Sequence, residues 1–201
     1  YWKNTDPYTS AIWFRNNITE KIETYRNLHN LQTANNILDI GCSIGISTEN
    51  IRNLYKSAYV WGVDLSPYFL SIAEQRNIEF HHNISYIHAN AEHLPFSDNC
   101  MDVIIISFVL HEVPIEPTIS ILQDAFRVLK CEGTLFVIDL EPESLKKTLS
   151  MSTFRKWAFE VTEPHISSYY NNDLTTELIN CGFHNIIKYQ NDPINSVWCA
   201  I

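Results

Sequence analysis

This sequence predicts an α/β fold built on a mostly parallel sheet with helices on both faces. Three observations carry that reading. From Asn36 onward, short β-rich runs alternate with helix-like segments. The runs are apolar throughout instead of at every second residue, as strands buried on both faces must be. The final two runs flank a short, turn-rich connection around Asn191-Asp192-Pro193, which predicts a closing antiparallel hairpin.

Taken in order, the strands fall at Ile37–Ile40, Tyr59–Asp64, Ile84–His88, Asp102–Ser107 and Thr134–Asp139. Helices fall between them at Thr48–Lys56, Pro67–Arg76 and Pro117–Lys130. In the third, Ile121, Leu122, Ala125, Phe126 and Leu129 recur on one helical face, and Gly133 follows as the stop. After Asp139 the rhythm breaks into an aromatic-rich helical stretch with Phe154, Trp157 and Val161. A short helix, Asp173–Asn180, then ends at Gly182. Ile186–Gln190 and Val197–Ile201 are the closing strands. Ahead of the sheet, Ile12, Phe14, Ile18, Ile22, Tyr25 and Leu28 line one face of a helix that would cap it.

At 201 residues the chain is the length of one domain, here 1–201, with 1–30 as a helical cap and 141–172 as a lid over the substrate. The apolar fraction of 45% is enough for one core, and no run approaches a membrane span. A formal charge of −9 argues against a nucleic-acid substrate, because a phosphate backbone is bound chiefly through Lys and Arg. The local group Lys146, Lys147, Arg155 and Lys156 reads as a solvated helix face. Five cysteines, an odd number with no C-x-x-C, give neither a disulfide frame nor a metal site. They favour a reducing compartment, cytoplasm or organelle stroma.

The strongest chemical signal is Ile37-Leu38-Asp39-Ile40-Gly41-Cys42-Ser43-Ile44-Gly45: a buried strand, an acid, then two glycines opening a helix. Such a turn lets backbone amides and a helix N-terminus approach a ligand closely. Its spacing, Asp-x-Gly-x-x-x-Gly, is not the Gly-x-Gly-x-x-Gly of dinucleotide binding. A pyrophosphate wants no carboxylate beside it, whereas a cationic ligand favours one. Gly62-Val63-Asp64-Leu65-Ser66 is the second element, an acid at a strand end that can accept both hydroxyls of a ribose.

ILDIGCSIG, GVDLSPYFL, HANAEHLPF, MDVIIISFVLHEVP and AFRVLKCEGTLFVIDLEP resemble, in order and spacing, the successive motifs of class I S-adenosylmethionine-dependent methyltransferases. SPYFL, VLHEVP and the later EP…SYY are similar to a plant and cyanobacterial branch acting on small molecules. The resemblance implies a Rossmann-like, seven-stranded sheet of order 3-2-1-4-5-7-6 and S-adenosyl-L-methionine as cofactor. Carried over by position, Asp39, Gly41 and Gly45 would surround the methionine end, with Cys42 and Ser43 in the same turn. Asp64 would hold the ribose and Leu65 would pack on the adenine. Asn90, Ala91 and Glu92 would read the adenine amine, and Ser107 and Phe108 would face the sulfonium. Two positions depart from the family pattern. Asn90 stands where Asp is usual, and its carbonyl oxygen still accepts from an amine. Ser43 stands where Gly is usual, at a cost of about 1 kcal/mol if the position needs positive φ.

Methyl transfer from a sulfonium brings its own leaving group, so the protein's main task is to hold nucleophile and methyl in line, and a base helps where the nucleophile is a hydroxyl or an acidic carbon. His111 and Glu112, just past the fourth strand, are the candidates: His111 as base, Glu112 as base or His-orienting group. Glu141 lies near the same edge. Tyr169 and Tyr170, with Trp157 and Phe159, are candidates for the lid, and Asp102 is a strand-entry residue. Where enzymes acting on amino groups of adenine or glutamine carry Asn/Asp-Pro-Pro-Tyr, this chain has Ser107-Phe108-Val109-Leu110, which points to oxygen or carbon acceptors. Two rival readings are a cofactor-binding but inactive partner protein and an NAD-linked oxidoreductase.

Overall fold

The computed structural model describes residues 21–31, 33–190 and 194–201. In chain order the elements are β1 (Asn36–Ile40), α1 (Ile46–Leu54), β2 (Tyr59–Asp64), α2 (Pro67–Phe80), β3 (Ser85–His88) and β4 (Met101–Ser107). A 3-10 turn (Leu110–Glu112) follows, then α3 (Ile115–Val128), β5 (Leu129–Leu140), α4 (Pro142–Ser150), α5 (Thr153–Thr162), α6 (Ile166–Asn171), α7 (Leu174–Asn180), β6 (Ile187–Gln190) and β7 (Asn195–Ala200). The sheet has seven strands in the order β3-β2-β1-β4-β5-β7-β6. Strands β1 to β5 pair in parallel, and β7 runs antiparallel between β5 and β6.

Strand residues alternate between two cores, which is why the runs read as apolar throughout. Leu38, Ile40, Ile104, Ile106, Leu135 and Val137 pack on one face, against Ile121, Leu122 and Ala125 of α3 and Leu174 and Leu178 of α7. Ile37, Val103, Ile105, Phe136 and Ile138 pack on the other, against Ile51 of α1 and against Ile22 and Tyr25. The latter pair belongs to helical residues 21–28. Tyr25 sets its ring edge-on to Phe136 and donates its hydroxyl to the Asn185 carbonyl at 2.9 Å. Leu28 departs from the expected capping face, being 63% exposed. Ile12, Phe14, Ile18 and the turn at 191–193 lie outside the described residues.

The boundary that moves furthest from expectation is the junction of α3 and β5. Helix α3 stops at Val128, and Leu129 passes straight into β5, so Gly133 lies inside a strand and is not a helix stop. The register slips between Met101 and Val103, and the chain bulges back over itself there. A Cβ on Gly133 would sit 2.7 Å from Leu129 Cγ. Asp102 is the staple at this end of the sheet. Its carboxylate accepts from the Asn35 and Asn36 amides at 3.0 and 2.8 Å and from Lys130 at 2.7 Å. Among the described residues, no helix is long and apolar enough to cross a membrane.

Candidate active site

A cavity of about 930 Å³ opens at the carboxyl ends of β1, β2 and β4. This is where ligands settle in open α/β sheets, since β1 and β4 are neighbours from which the chain winds in opposite directions. Gly41, Cys42 and Ser43 form one wall. The Gly41 and Cys42 amides both donate to the Val63 carbonyl, at 2.8 and 3.1 Å, which locks the turn to β2. Three residues of this turn are left-handed: Gly41 at φ +71°, Ser43 at +50° and Gly45 at +83°. Ser43 therefore does carry the cost that its replacement of glycine threatened, about 1 kcal/mol.

Asp39 and Gly45 lie beneath the cavity and do not line it. Asp39 is fully buried, with Oδ2 accepting from Ser47 Oγ at 3.0 Å and Thr48 Oγ1 at 2.6 Å. It fixes the first turn of α1 from below. Gly45 is the residue preceding that helix, and a Cβ there would overlap the Tyr86 hydroxyl at 2.3 Å.

Asp64 faces the cavity from the end of β2. Its Oδ2 accepts from the Ser43 amide and its Oδ1 from the Ser66 amide, both at 2.8 Å. Each oxygen retains a lone pair for a diol. Leu65, 67% exposed, and Phe69 add apolar surface beside it. Opposite stand Asn90, Ala91 and Glu92. Asn90 Oδ1 accepts from the Glu92 amide at 3.0 Å and Nδ2 donates to Glu92 Oε1 at 3.1 Å, so this loop braces itself. Arg127 of α3 holds the loop's continuation from behind, donating to the Leu94 and Phe96 carbonyls and to Asp98 and Asp124.

Ser107 and Phe108 close the cavity floor at the end of β4. Phe108 is left-handed, φ +56°, and its amide donates to the Ile138 carbonyl at 2.8 Å. Strain of this kind persists only where surrounding structure enforces it. Val109 then presses against Gly41, where a Cβ would come within 2.2 Å of Val109 Cγ2.

The next residues resolve which of the paired candidates meets the cavity. Glu112 lines it and His111 does not. The His111 ring turns inward, where Nδ1 meets Oδ1 of the fully buried Asp139 at 2.6 Å. Nε2 lies 4.0 Å from Glu112 Oε1. Burial alone would lower the His111 pKa. The hydrogen bond and charge of Asp139, with Glu112 and Glu163, outweigh it and hold the imidazole above its ordinary value.

Glu141 is buried away from the cavity among Ser196, Lys188 at 2.9 Å and the Glu143 amide. Burial would raise its pKa, but the Ser196 hydroxyl and the Lys188 ammonium hold it below the usual carboxylate range. Trp157, Phe159, Tyr169 and Tyr170 do not line the cavity either. Both tyrosines are core residues, and Tyr169 donates its hydroxyl to the Leu140 carbonyl at 2.6 Å. Sequence reasoning missed Asp139, although the signal was present: an acid ending an apolar run, as in Asp39 and Asp64.

Among the described residues no Lys or Arg lines the cavity, while Asp64, Glu92 and Glu112 do. That wall suits a cationic nucleoside and repels a pyrophosphate. The residues present therefore fit S-adenosylmethionine: a carboxylate for the ribose, apolar surface for the adenine and acidic surroundings for a sulfonium.

Residues 38–137 match the family model described as a methyltransferase domain. Demethylmenaquinone methyltransferase of Listeria monocytogenes is 33% identical over 136 residues, covering 67% of this chain and 56% of that protein. The chain thus spans a little over half the length of the curated relatives it matches. Among solved structures, the PH0226 protein of Pyrococcus horikoshii superposes with a TM-score of 0.71 at 15% identity, covering 98% of this chain and 92% of that one. A SAM-dependent methyltransferase of Aquifex aeolicus gives 0.62 at 16% identity, covering 88% and 87%. Strand order, glycine turn, acidic cavity and matched domain agree, and the chain belongs to the class I S-adenosylmethionine-dependent methyltransferases.

Proposed function

We propose that this chain transfers a methyl group from S-adenosylmethionine to an oxygen or carbon of a small, largely apolar acceptor. The observation that carries the reading is the cavity's mixed lining, in which the acids Asp64, Glu92 and Glu112 stand among apolar residues that include Ile22, Phe108, Val113, Pro117 and Ile121. The bound cofactor supplies an electrophilic methyl group and a neutral leaving group. The protein's tasks are alignment and removal of one proton.

In this reading Asp64 takes the ribose diol, Leu65 and the Asn90–Glu92 loop hold the adenine, and Ser107 and Phe108 lie under the reacting methyl. Gly41, Cys42 and Ser43 approach the methionine portion, with Asp39 and Gly45 supporting that turn. Glu112 is the base, for it is the titratable member of the pair that reaches the cavity; His111 stands behind it. The apolar lining supports an apolar acceptor, and the relatives named for demethylmenaquinone support a quinone-type ring in its reduced, hydroquinone form. Five free cysteines support a reducing compartment.

Calorimetry with S-adenosylhomocysteine and NAD tests the cofactor half. Binding of the former at micromolar levels and none of the latter is the expected result; the reverse sinks the reading. Release of S-adenosylhomocysteine on incubation with 1,4-naphthohydroquinone or catechol tests the acceptor class. Turnover also separates an enzyme from an inactive cofactor-binding protein.

A further inference from the structure

Asp139 is fully buried at the end of β5, yet the carboxylate is encircled by donors. Oδ2 accepts from the Leu110 amide at 3.0 Å and the His111 amide at 3.3 Å. Oδ1 accepts from His111 Nδ1 at 2.6 Å and from the Leu140 amide at 2.7 Å. A carboxylate without solvent persists as an ion only when paired and hydrogen-bonded in this way. Here three of the four donors belong to the turn Leu110–Glu112, not to the acid's own strand.

That turn carries the chain from the cavity floor at Phe108 to Val113 on its wall, with Glu112 as the turn's own last residue. Its leading neighbour Val109 touches the Gly41 turn on the cofactor side. Its last residue, Glu112, lies on the acceptor side. The His111 ring is held edge-on by Phe108 at 6.4 Å and by Tyr169 of α6 at 6.2 Å. The ionisable groups facing His111 are all acidic or phenolic: Asp139 from β5, Glu112 from its own turn, Glu163 after α5, and Tyr169, whose proton goes to the Leu140 carbonyl.

We propose that Asp139 is a positioning residue for the transfer reaction: acting with His111 as a carboxylate–imidazolium pair, it holds the Leu110–Glu112 turn so that Val109 and Glu112 wall the two halves of the cavity. The proposal rests on the methyltransferase reading of that cavity. It predicts that the loss of charge at this buried pair is felt at the cofactor, although neither member lines the site.

Asp139→Asn separates charge from shape. The amide oxygen still accepts from the Leu110 and His111 amides, while the amide nitrogen now faces Nδ1 and the Leu140 amide, which loses its acceptor. Two measurements are made on wild type, Asp139→Asn and His111→Gln: ring titration of His111 by NMR in the ligand-free protein, and S-adenosylhomocysteine affinity by calorimetry from about pH 5.5 to 9. In wild type His111 should titrate above ~6.5, and Asp139→Asn should lower the midpoint by roughly one unit or more. Wild-type affinity should decline severalfold as pH rises through that midpoint. Both variants should bind several times more weakly than wild type near pH 6, with a flat profile. A wild-type midpoint or a wild-type affinity profile in Asp139→Asn overturns the proposal and leaves the acid a simple turn cap. If Asp139→Asn does not fold, the profile of His111→Gln decides in the same way. No binding of S-adenosylhomocysteine by the wild type at any pH counts against the cofactor reading, and the ligand-free titration then decides the pair by itself.

Discussion

The backbone N–H of Ser43 donates to Oδ2 of Asp64 at 2.8 Å, joining the turn after β1 to the end of β2. One carboxylate thus serves two purposes. It orders the glycine turn, and its remaining lone pairs face the cavity. Asp64→Ala should lose both. Charge-assisted hydrogen bonds contribute roughly 1.5–3 kcal/mol, so affinity for S-adenosylhomocysteine should fall about ten- to a hundredfold or somewhat more. Titration calorimetry on the folded variant measures this; unchanged affinity would show that the ribose lies elsewhere.

Ser43 holds a left-handed backbone, and among the described residues its side chain makes no hydrogen bond. Ser43→Gly removes a conformational cost of about 1 kcal/mol and adds a smaller entropy cost in the unfolded chain. The net gain should be about 0.5 kcal/mol, seen as a rise of roughly 1–2 °C in the melting temperature. A lower melting temperature would contradict the assignment of strain to this residue.

Gly41 is constrained twice, by its φ of +71° and by Val109, whose Cγ2 lies 2.2 Å from where a Cβ on Gly41 would sit. Gly41→Ala should destabilise by about 2–4 kcal/mol, the sum of backbone strain and overpacking. The double variant Gly41→Ala/Val109→Ala should recover the overpacking share, roughly 1–2 kcal/mol, and leave the backbone share. Additive losses in denaturant unfolding would mean that the two residues do not meet.

His111 makes stability depend on pH with a definite sign. Its folded pKa is raised, against burial, by Asp139, Glu112 and Glu163. The stabilisation is therefore complete below the unfolded value of about 6.5 and is lost as pH rises through the higher folded value. The melting temperature of wild type should exceed that of His111→Gln most near pH 6, and the gap should narrow toward about pH 9. Scanning calorimetry across that range would refute this with a gap that grows as pH rises.

Much of the fold could be read from the residues. Strand β2 spans Tyr59–Asp64 as its apolar run predicts, and the closing antiparallel pair follows from two short runs around a turn. Misreadings occurred where one-dimensional neighbours diverge in space. In a 3-10 turn successive side chains stand about 120° apart, so His111 and Glu112 face different regions. Adjacency in sequence cannot say which reaches the cavity. Gly133 looked like a helix stop because it follows an amphipathic helical run, yet the register passes from Met101–Leu129 to Val103–Thr134 and leaves Lys130, Cys131, Glu132 and Gly133 without partners on β4. Tyr169 and Tyr170 share the composition of a lid but are buried, a distinction that depends on where α6 docks.

Arg127 stands on a helix behind the continuation of the Asn90–Glu92 loop, and its guanidinium gathers the Leu94 and Phe96 carbonyls with the carboxylates of Asp98 and of Asp124 on its own helix, which itself accepts from the Leu94 amide at 2.6 Å. A lysine there offers one compact charge in place of a planar fork and cannot reproduce that geometry. Heritable variation at this position would consequently imitate damage to the ligand site while leaving every ligand-facing side chain intact. A survey that scored substitutions only by their distance from the cavity would place Arg127 among the harmless ones.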